Sequence, residues 1–229
     1  MDMESGRQRI LDRMLQALAS QPVDDRSAAA TREGGARLSI DGIFAPSEEP
    51  LARFRAECEA NRTQLHLVTA ESEAAILLGV LQEEQRKMES GGGSEKFPVF
   101  VQDAPELRRL LKSIPVPVRW SSKGAPEGND FAGITLCEAL VARTGSVLIT
   151  SLHGGRAASV LPPVHIVYAQ ISQLAPELAE ALERAQASGR VREVSMLSLI
   201  SGPSRTSDIE KMLVLGAHGP RRLVILLRQ

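Results

Sequence analysis

The sequence predicts an α/β domain built on a largely parallel sheet with helices on both faces, preceded by an N-terminal helical arm. From residue 50 onward, short apolar segments alternate with longer amphipathic ones. The short segments are apolar at nearly every position, as expected for strands that are buried on both faces. Only 3% of the residues are aromatic although 43% are hydrophobic, so the core should consist mainly of Leu, Val, Ile and Ala. We therefore predict an arm at residues 1–49 and a domain at residues 50–229.

The predicted arm begins with an amphipathic helix over roughly residues 5–19. Ile10, Leu11, Met14, Leu15 and Leu18 recur at helical spacing among charged residues. Residues 20–49 are polar and rich in turn formers, which predicts a long connection. Docking of this helix on its own domain and docking on another subunit both stay open.

Within the domain, apolar runs bounded by turn residues predict strands, and apolar residues spaced three or four apart predict helices. The predicted helices are residues 51–61, 71–88, 104–114, 135–144, 171–188 and 208–215. The predicted strands are residues 64–69, 97–101, 146–150, 164–169, 191–200 and 222–227, with a short strand or loop at 116–120. Three glycines at 91–93 predict a flexible linker.

Composition excludes several classes of function. The net charge is −1, from 27 basic and 28 acidic residues, so there is no electrostatic case for nucleic acid or an anionic membrane as the main partner. Charges interrupt every apolar run, which predicts no membrane span, and the N-terminus lacks the apolar core of a secretion signal. We expect a cytoplasmic protein.

The sequence predicts no cofactor and no metal. Cys58 and Cys137 are far apart, and with four histidines they cannot by themselves form a four-cysteine cluster or a closed zinc site. There is no glycine fingerprint for dinucleotides, no phosphate-binding Gly-Lys-Ser/Thr loop and no Gly-x-Ser-x-Gly motif. Any iron–sulfur chemistry must therefore come from a partner protein.

Residues 198–227 are the densest stretch of backbone-directing and hydrogen-bonding residues. Gly202–Thr206 follows a predicted strand and precedes a predicted helix, where free N–H groups favour an anion. Ser207 and Glu210 have the spacing of a capping box. Gly202, Ser204, Arg205 and Thr206 are candidate ligand contacts, whereas the competing interpretation is a plain helix cap with Arg205 in solvent. Asp208 would compete for the same N–H groups.

The following segment, residues 216–220, holds a histidine between two glycines and before a proline. Gly216 and Pro220 would end the preceding helix. His218 is a candidate catalytic residue, because a loop imidazole beside a pocket can move a proton. It would equally serve to hydrogen-bond the turn.

Residues 133–166 form the second dense region. Thr135 and Glu138 have capping-box spacing, but Glu138 is also a candidate base or nucleophile. Thr144 and Gly145 form a turn before the next strand, and Arg156 would supply a second cation near an anion site. An exposed arginine is the alternative for Arg156.

The segment "ISGPSRTSDIEKMLVLGAHGPRRL" resembles the C-terminal signature of the LUD-domain family, which includes the lactate-utilisation protein C group. "GITLCEALVARTGSVLI", the Arg156 loop and "LPPVHIV" match this family in order, so the resemblance covers roughly residues 50–228. It implies a fold related to ribose-5-phosphate isomerases, glucosamine-6-phosphate deaminases and CoA transferases. It also implies a role in oxidising L-lactate to pyruvate alongside two iron–sulfur partner proteins.

The resemblance also implies which residues line the pocket. They are Glu138, Thr144, Gly145, Arg156, His165, Gly202, Ser204, Arg205, Thr206, Asp208, Glu210, His218 and Gly219. Two positions depart from the family pattern: Arg143 stands where an acidic residue is usual, and Val224 where a histidine is common.

Three functional hypotheses follow. The first is a non-redox subunit of a bacterial L-lactate oxidation system that binds a small anionic ligand. The second is a stand-alone isomerase, deaminase or CoA-transferase type of enzyme, acting on a phosphorylated or acyl-CoA substrate. The third is a ligand-binding regulator without catalysis.

Overall fold

The computed structural model describes residues 49–89, 98–124, 132–206, 214–215 and 219–229. The predicted N-terminal helix and residues 1–48 of the predicted arm lie outside these ranges. The described α-helices are α1 (Pro50–Ala60), α2 (Glu73–Glu89), α3 (Pro105–Leu111), α4 (Gly155–Val160) and α5 (Leu178–Ala187). None of them is long and apolar enough to cross a membrane.

Six parallel strands form the main sheet of the described chain, in the order β1-β12-β7-β4-β2-β3. They are β1 (Gln64–Val68), β2 (Val99–Val101), β3 (Val118–Trp120), β4 (Ala132–Leu136), β7 (Val164–Gln170) and β12 (Arg222–Arg228). The predicted α/β class and largely parallel sheet are therefore confirmed.

Both faces of this sheet are buried. Along β7, Ile166 and Tyr168 belong to the core cluster that contains residues of α2 and α3, whereas Val167 and Ala169 belong to a second cluster with residues of α1. Successive side chains of a strand point to opposite faces, so a strand packed on both sides needs an apolar residue at nearly every position. This requirement explains the continuous apolar runs in the sequence.

A second sheet of four strands covers part of the second face, in the order β8-β5-β6-β9. Its strands are β5 (Ala139–Val141), β6 (Ser146–Thr150), β8 (Leu174–Ala175) and β9 (Leu197–Ile200). β5 and β6 form an antiparallel pair, and α5 packs on the outer face through Ala181 and Ala185. A two-residue pair, β10 (Arg205–Thr206) and β11 (Val214–Leu215), follows β9 in the chain.

The helix predicted at residues 135–144 is wrong. This segment contains the end of β4, the strand β5 and a short 3₁₀ turn at Ala142–Thr144. The capping box predicted for Thr135 and Glu138 is wrong with it, because Thr135 lies within β4 and its hydroxyl is 2.9 Å from His165 Nε2. Burial between two sheets overrides the helical composition of this segment.

The helix predicted at residues 208–215 is also wrong at its end, since Val214 and Leu215 pair with Arg205 and Thr206 as strands. The rest of that helix, with its proposed cap at Ser207, lies outside the described residues. Conversely, Gly155 and Arg156, which we expected in a loop, form the first turn of α4. Gly133 of β4 permits this helix to approach, because an added Cβ there would lie 1.9 Å from the Ala158 carbonyl oxygen.

Candidate functional site

A cleft of about 410 Å³ opens at the carboxyl ends of β2, β4 and β7. The chain leaves β2 toward the edge strand β3, but it leaves β4 toward β7 on the other side. Where connections diverge between neighbouring parallel strands, they leave a crevice in which ligands bind. We call it the carboxyl-edge cleft. Its lining includes Gln102, Glu138, Thr150, His153, Tyr168 and Gln173.

Glu138 brings a carboxylate to this cleft. It lies between β4 and β5, where the chain passes from the main sheet to the second sheet. Its backbone N–H donates to the Leu148 carbonyl at 2.8 Å, and the Thr150 hydroxyl donates to its Oε1 at 3.5 Å. Glu106, near the start of α3, lines the same cleft. The cleft therefore contains two carboxyl groups, and the β5–β6 hairpin anchors one of them.

Two glutamine side chains hold the backbone next to Glu138. Gln102 is buried, and its amide donates to the Leu152 carbonyl at 2.9 Å and accepts from the Leu136 N–H at 2.8 Å. Gln173 donates to the Cys137 carbonyl at 2.6 Å. Only a side chain with both a donor and an acceptor can make the pair of bonds seen at Gln102. These amides fix the turn that carries Glu138.

His153 lines the cleft at a tight reversal of the chain. It is one of two described non-glycine residues with a positive φ, at 48°. Such a conformation costs roughly 1 kcal/mol and persists only where the surrounding structure enforces it. Gly155 then packs so closely that an added Cβ would lie 2.4 Å from the Thr150 carbonyl oxygen. α4 therefore begins beside the cleft, and Arg156, in its first turn, is exposed at that end.

Tyr168 adds a buried phenol to the lining. Its hydroxyl donates to Glu73 Oε2 at 2.6 Å and accepts from Arg228 Nη1 at 3.4 Å. Burial and the neighbouring Glu73 raise the pKa of Tyr168, so its hydroxyl stays protonated at neutral pH. Tyr168 therefore contributes an uncharged side chain to the cleft lining.

A second cavity, of about 160 Å³, lies at the opposite end of the main sheet. We call it the amino-edge pocket. Its lining includes Val160, His165, Ser198, Ile200, Ser204 and Leu223. His165 and Leu223 stand opposite each other near the starts of β7 and β12. No acidic or basic side chain other than this histidine lines the pocket among the described residues.

His165 is the buried polar group of the amino-edge pocket, with 1% of its surface exposed. Its Nε2 lies 2.9 Å from Thr135 Oγ1, while its Nδ1 has no hydrogen-bond partner among the described residues. Burial lowers the pKa of His165 from its ordinary value to about 3. The imidazole is therefore uncharged at neutral pH.

Comparisons with known proteins agree with this architecture. The sequence profile of the LUD domain matches residues 131–227. Lactate utilization protein C of Bacillus subtilis is 30% identical over 183 residues, which cover 72% of this chain and 73% of that protein. The chain belongs to the lactate utilization protein C group of the LUD-domain family.

Further relatives of this family extend the comparison. Lactate utilization protein C of Deinococcus radiodurans is 32% identical over 133 residues, covering 52% of this chain and 62% of that protein. A crystal structure of a DUF162 family protein from Deinococcus radiodurans superposes with a TM-score of 0.59, at 20% identity. The match covers 81% of this chain and 99% of that one, so the two proteins share a fold.

The structure divides the predicted site residues of this LUD-domain chain between the two ends of the sheet. Glu138 lies in the carboxyl-edge cleft. Arg156 lies in the first turn of α4, outside the cleft lining but next to Gly155, which packs against Thr150. His165, Gly202, Ser204 and Gly219 line the amino-edge pocket. Asp208, Glu210 and His218 lie outside the described residues, so the role of His218 stays a prediction.

The remaining predicted residues lie near the amino edge. Thr144 accepts, through its carbonyl, a 2.8 Å hydrogen bond from Asn61, and an added Cβ on Gly145 would lie 2.8 Å from the Glu57 backbone. The exposed Arg205 donates to the Asn61 carbonyl, and Thr206 is its neighbour in β10. These residues surround the end of α1, so their assignment as ligand contacts stays a prediction.

The two departures from the family pattern lie away from the cleft lining. Arg143 forms an ion pair with Glu177, with Nε 2.5 Å from Oε2. Val224 is fully buried in the core cluster that contains residues of α2 and α3. Both side chains therefore make contacts within the fold.

Sequence reasoning missed the two glutamines that support Glu138. Gln102 directly follows a buried strand, and a polar residue at that place is the signal that would have identified it. Gln173 follows no such pattern. The free thiols of Cys58 and Cys137 are buried, and burial raises the pKa of Cys58 to about 12. Among the residues that the structure describes, no three His, Cys, Asp or Glu side chains are grouped to hold a metal.

Proposed function

We propose that this chain is a non-redox subunit of a bacterial L-lactate oxidation system and that it binds a small anionic ligand in the carboxyl-edge cleft. The observation that carries the proposal is the position of Glu138 at the point where the connections of the parallel sheet diverge. The relatives named lactate utilization protein C support the metabolic context.

The lining of the cleft offers hydrogen bonds to a neutral hydroxyl or keto group. A ligand carboxylate needs a cation from outside the lining, because no Lys or Arg is among the described lining residues. Glu138 can accept a hydrogen bond from a ligand hydroxyl. The Thr150 hydroxyl can donate to a keto oxygen in place of its long 3.5 Å bond to Glu138. A dianionic phosphate would be repelled by Glu138 and Glu106, which both line the cleft. A hydroxy acid or keto acid such as lactate or pyruvate fits this pattern better than a phosphorylated effector.

Arg156 is the cation proposed to pair with the ligand carboxylate. It occupies the first turn of α4, immediately after Gly155, whose backbone touches Thr150 of the cleft. A guanidinium can bind a carboxylate through two parallel hydrogen bonds. Arg205 is the alternative cation, but its bond to Asn61 holds it near the amino edge.

The proposal assigns electron transfer to partner proteins. Oxidation of lactate to pyruvate removes two electrons and two protons, and the acceptor must carry a redox centre. In this proposal, two iron–sulfur proteins of the lactate-utilisation system take the electrons. This subunit then holds and orients the hydroxy acid or its product.

Growth of a gene-deletion strain on L-lactate as the sole carbon source tests the proposal. We expect no growth without the gene, and full rescue by the wild-type chain and by Arg205→Ala. Glu138→Gln should fail to rescue, because the amide keeps the size of the side chain but loses its charge. Normal growth of the deletion strain would refute the proposed function.

Binding to the purified chain tests the ligand. Isothermal titration with L-lactate and with pyruvate should give a signal that Arg156→Ala weakens by at least about tenfold, because a charged hydrogen-bond pair is lost. Arg205→Ala is the matched control and should bind like the wild type. If Arg205→Ala abolishes binding and Arg156→Ala does not, the cleft assignment is wrong.

A stand-alone enzyme of the isomerase, deaminase or CoA-transferase type is the second candidate. The observation in its favour is a carboxylate with an adjacent hydroxyl, Glu138 and Thr150, in a cleft at the switch point. Glu138 would then act as base or nucleophile. Turnover of sugar phosphates or acyl-CoAs that falls by orders of magnitude in Glu138→Gln would support it. Absence of turnover across such panels, with lactate binding intact and lactate oxidation unaffected by the gene, would leave a regulatory role.

A further inference from the structure

The amino-edge pocket combines a mostly apolar lining with one unsatisfied polar atom among the described residues. Val160, Ile200 and Leu223 supply apolar surface around a cavity of about 160 Å³. The imidazole of His165 also lines the cavity, is 99% buried and leaves Nδ1 without a partner in the described residues. A buried polar atom without a hydrogen bond costs free energy, so its presence beside a cavity indicates a group that supplies the bond.

We propose that the amino-edge pocket is a second binding site, which takes a small uncharged molecule with an apolar body and one hydroxyl group. This inference is independent of the function proposed for the carboxyl-edge cleft. The two sites share no lining residue among those described.

We propose an uncharged ligand because of the side chains that line the amino-edge pocket. Apart from the neutral His165, the described lining residues carry no ionisable side chain, so a buried ion would lose its hydration without gaining a counter-charge. The exposed Arg205 follows Ser204 in the chain, but it is not part of the lining. A charged ligand is therefore disfavoured in this pocket.

We propose a hydroxyl group on the ligand because of the hydrogen-bonding chemistry of the His165 imidazole. The contact between Nε2 and Thr135 Oγ1 allows either atom to donate, so Nδ1 is either an acceptor or a donor. A hydroxyl can both donate and accept, so it satisfies Nδ1 in either tautomer. Ser198 and Ser204 place two further hydroxyl groups on the lining.

A matched series of three ring compounds tests the proposal on the full chain. Cyclopentanol is uncharged, cyclopentanecarboxylate is an anion, and cyclopentylamine is a cation at neutral pH. In ¹⁵N-resolved spectra, cyclopentanol should shift the His165 imidazole and the Gly202 and Gly219 amides in a saturable way. Half-saturation is expected at roughly millimolar concentration, as is usual for so small a ligand. The two charged compounds should give no saturable shift at these residues.

Variants that fill either cavity locate the binding. Ser198→Leu should abolish the cyclopentanol shifts, whereas Ser172→Leu, the same change in the lining of the carboxyl-edge cleft, should retain them. Ser204→Leu serves as a second filling variant if Ser198→Leu does not fold. The absence of saturable shifts, equal shifts with the charged compounds, or shifts that persist in a folded filled variant would each overturn the proposal. None of these outcomes bears on lactate binding at Glu138.

Discussion

The carboxyl-edge cleft and the amino-edge pocket lie at opposite ends of the main parallel sheet, and β7 lines both, yet they differ in polarity and in hydrogen bonding. The cleft carries carboxyl groups, and its supporting amides at Gln102 and Gln173 have their hydrogen bonds satisfied. The pocket is mostly apolar, and its imidazole has one nitrogen with no hydrogen-bond partner in the described part of the chain. The described lining of the cleft thus carries carboxyl groups, whereas the described lining of the pocket has no ionisable side chain other than His165.

The second sheet links the two regions. β6 runs from Ser146, in the turn region near α1, to Thr150 in the cleft, and the antiparallel β9 returns toward Ser204. α4 packs on the main sheet and likewise runs from Gly155 beside the cleft to Val160 on the pocket lining. Substitutions in α4 should therefore affect ligand binding in both the cleft and the pocket, whereas substitution of a lining residue should affect binding in only one of them.

The largest expected effect comes from Gly133→Ala. An added Cβ would overlap the Ala158 carbonyl, which belongs to the backbone and cannot rotate away, so α4 must move off β4. We expect a loss of ~3 kcal/mol or more in the free energy of unfolding. Urea unfolding measures it. Gly79→Ala is the control, because nothing lies within 4 Å of its added Cβ and alanine should stabilise α2 by ~0.5–1 kcal/mol. Equal stability of the Gly133→Ala variant and the wild type would show that α4 is not seated as described.

The pH dependence of the free energy of unfolding should show that His165 is uncharged in the folded protein. His165 has its pKa lowered by burial from 6.5 to about 3, so below pH 6.5 the unfolded chain binds a proton that the folded chain does not. The stabilising effect of the neutral imidazole is therefore complete above pH 6.5 and declines as the pH falls toward 3. We expect the free energy of unfolding to fall by about 2 kcal/mol between pH 6.5 and pH 5.

Denaturant unfolding at several pH values measures the pH-dependent part of the free energy of unfolding that His165 contributes. The His165→Gln variant should lack this part. His66→Gln is the matched comparison, because the pKa of His66 is also lowered, by burial and then by Arg222. If His165→Gln shows the same pH slope as the wild type, His165 is not held neutral in the fold.

A comparable effect, confined to the cleft, is expected for Gln102→Leu. The change leaves the Leu136 N–H and the Leu152 carbonyl without their partner, at a cost of ~2 kcal/mol. It should also weaken lactate binding through displacement of Glu138, while cyclopentanol still shifts His165. Gln82→Leu, an exposed position on α2, should alter stability by less than ~0.5 kcal/mol. Simultaneous loss of both binding events in a folded Gln102→Leu variant would contradict the separation of the sites.

The smallest effect is expected for Arg205→Ala. The side chain is exposed and donates to a backbone carbonyl, so thermal unfolding should change by less than ~0.5 kcal/mol. Neither lactate binding at the cleft nor cyclopentanol binding at the pocket should change. A selective loss of lactate binding would restore the earlier prediction that Arg205 contacts the anionic ligand.

The site shows how far sequence reasoning reaches. Glu138 was a candidate because it offers a carboxylate in the second dense region and belongs to the positions that the family resemblance implies, and the structure places it in the cleft. Arg205 was an equal candidate by local pattern, but the fold carries it to the other end of the sheet. Gln102 was not a candidate, since its role depends on Leu136 and Leu152, which are 34 and 50 residues away in the chain.

The sequence by itself determined the α/β class and the strands β1, β2, β7 and β12 of the main sheet, because a strand buried on both faces must be apolar at nearly every position. It also determined the family, through long stretches of matched residues. Only the tertiary structure decided that residues 135–141 contain the end of β4 and the strand β5, since burial between two sheets outweighs a helical composition. It alone decided that the predicted site residues fall into two regions, because strand order, and not spacing along the chain, sets which residues meet.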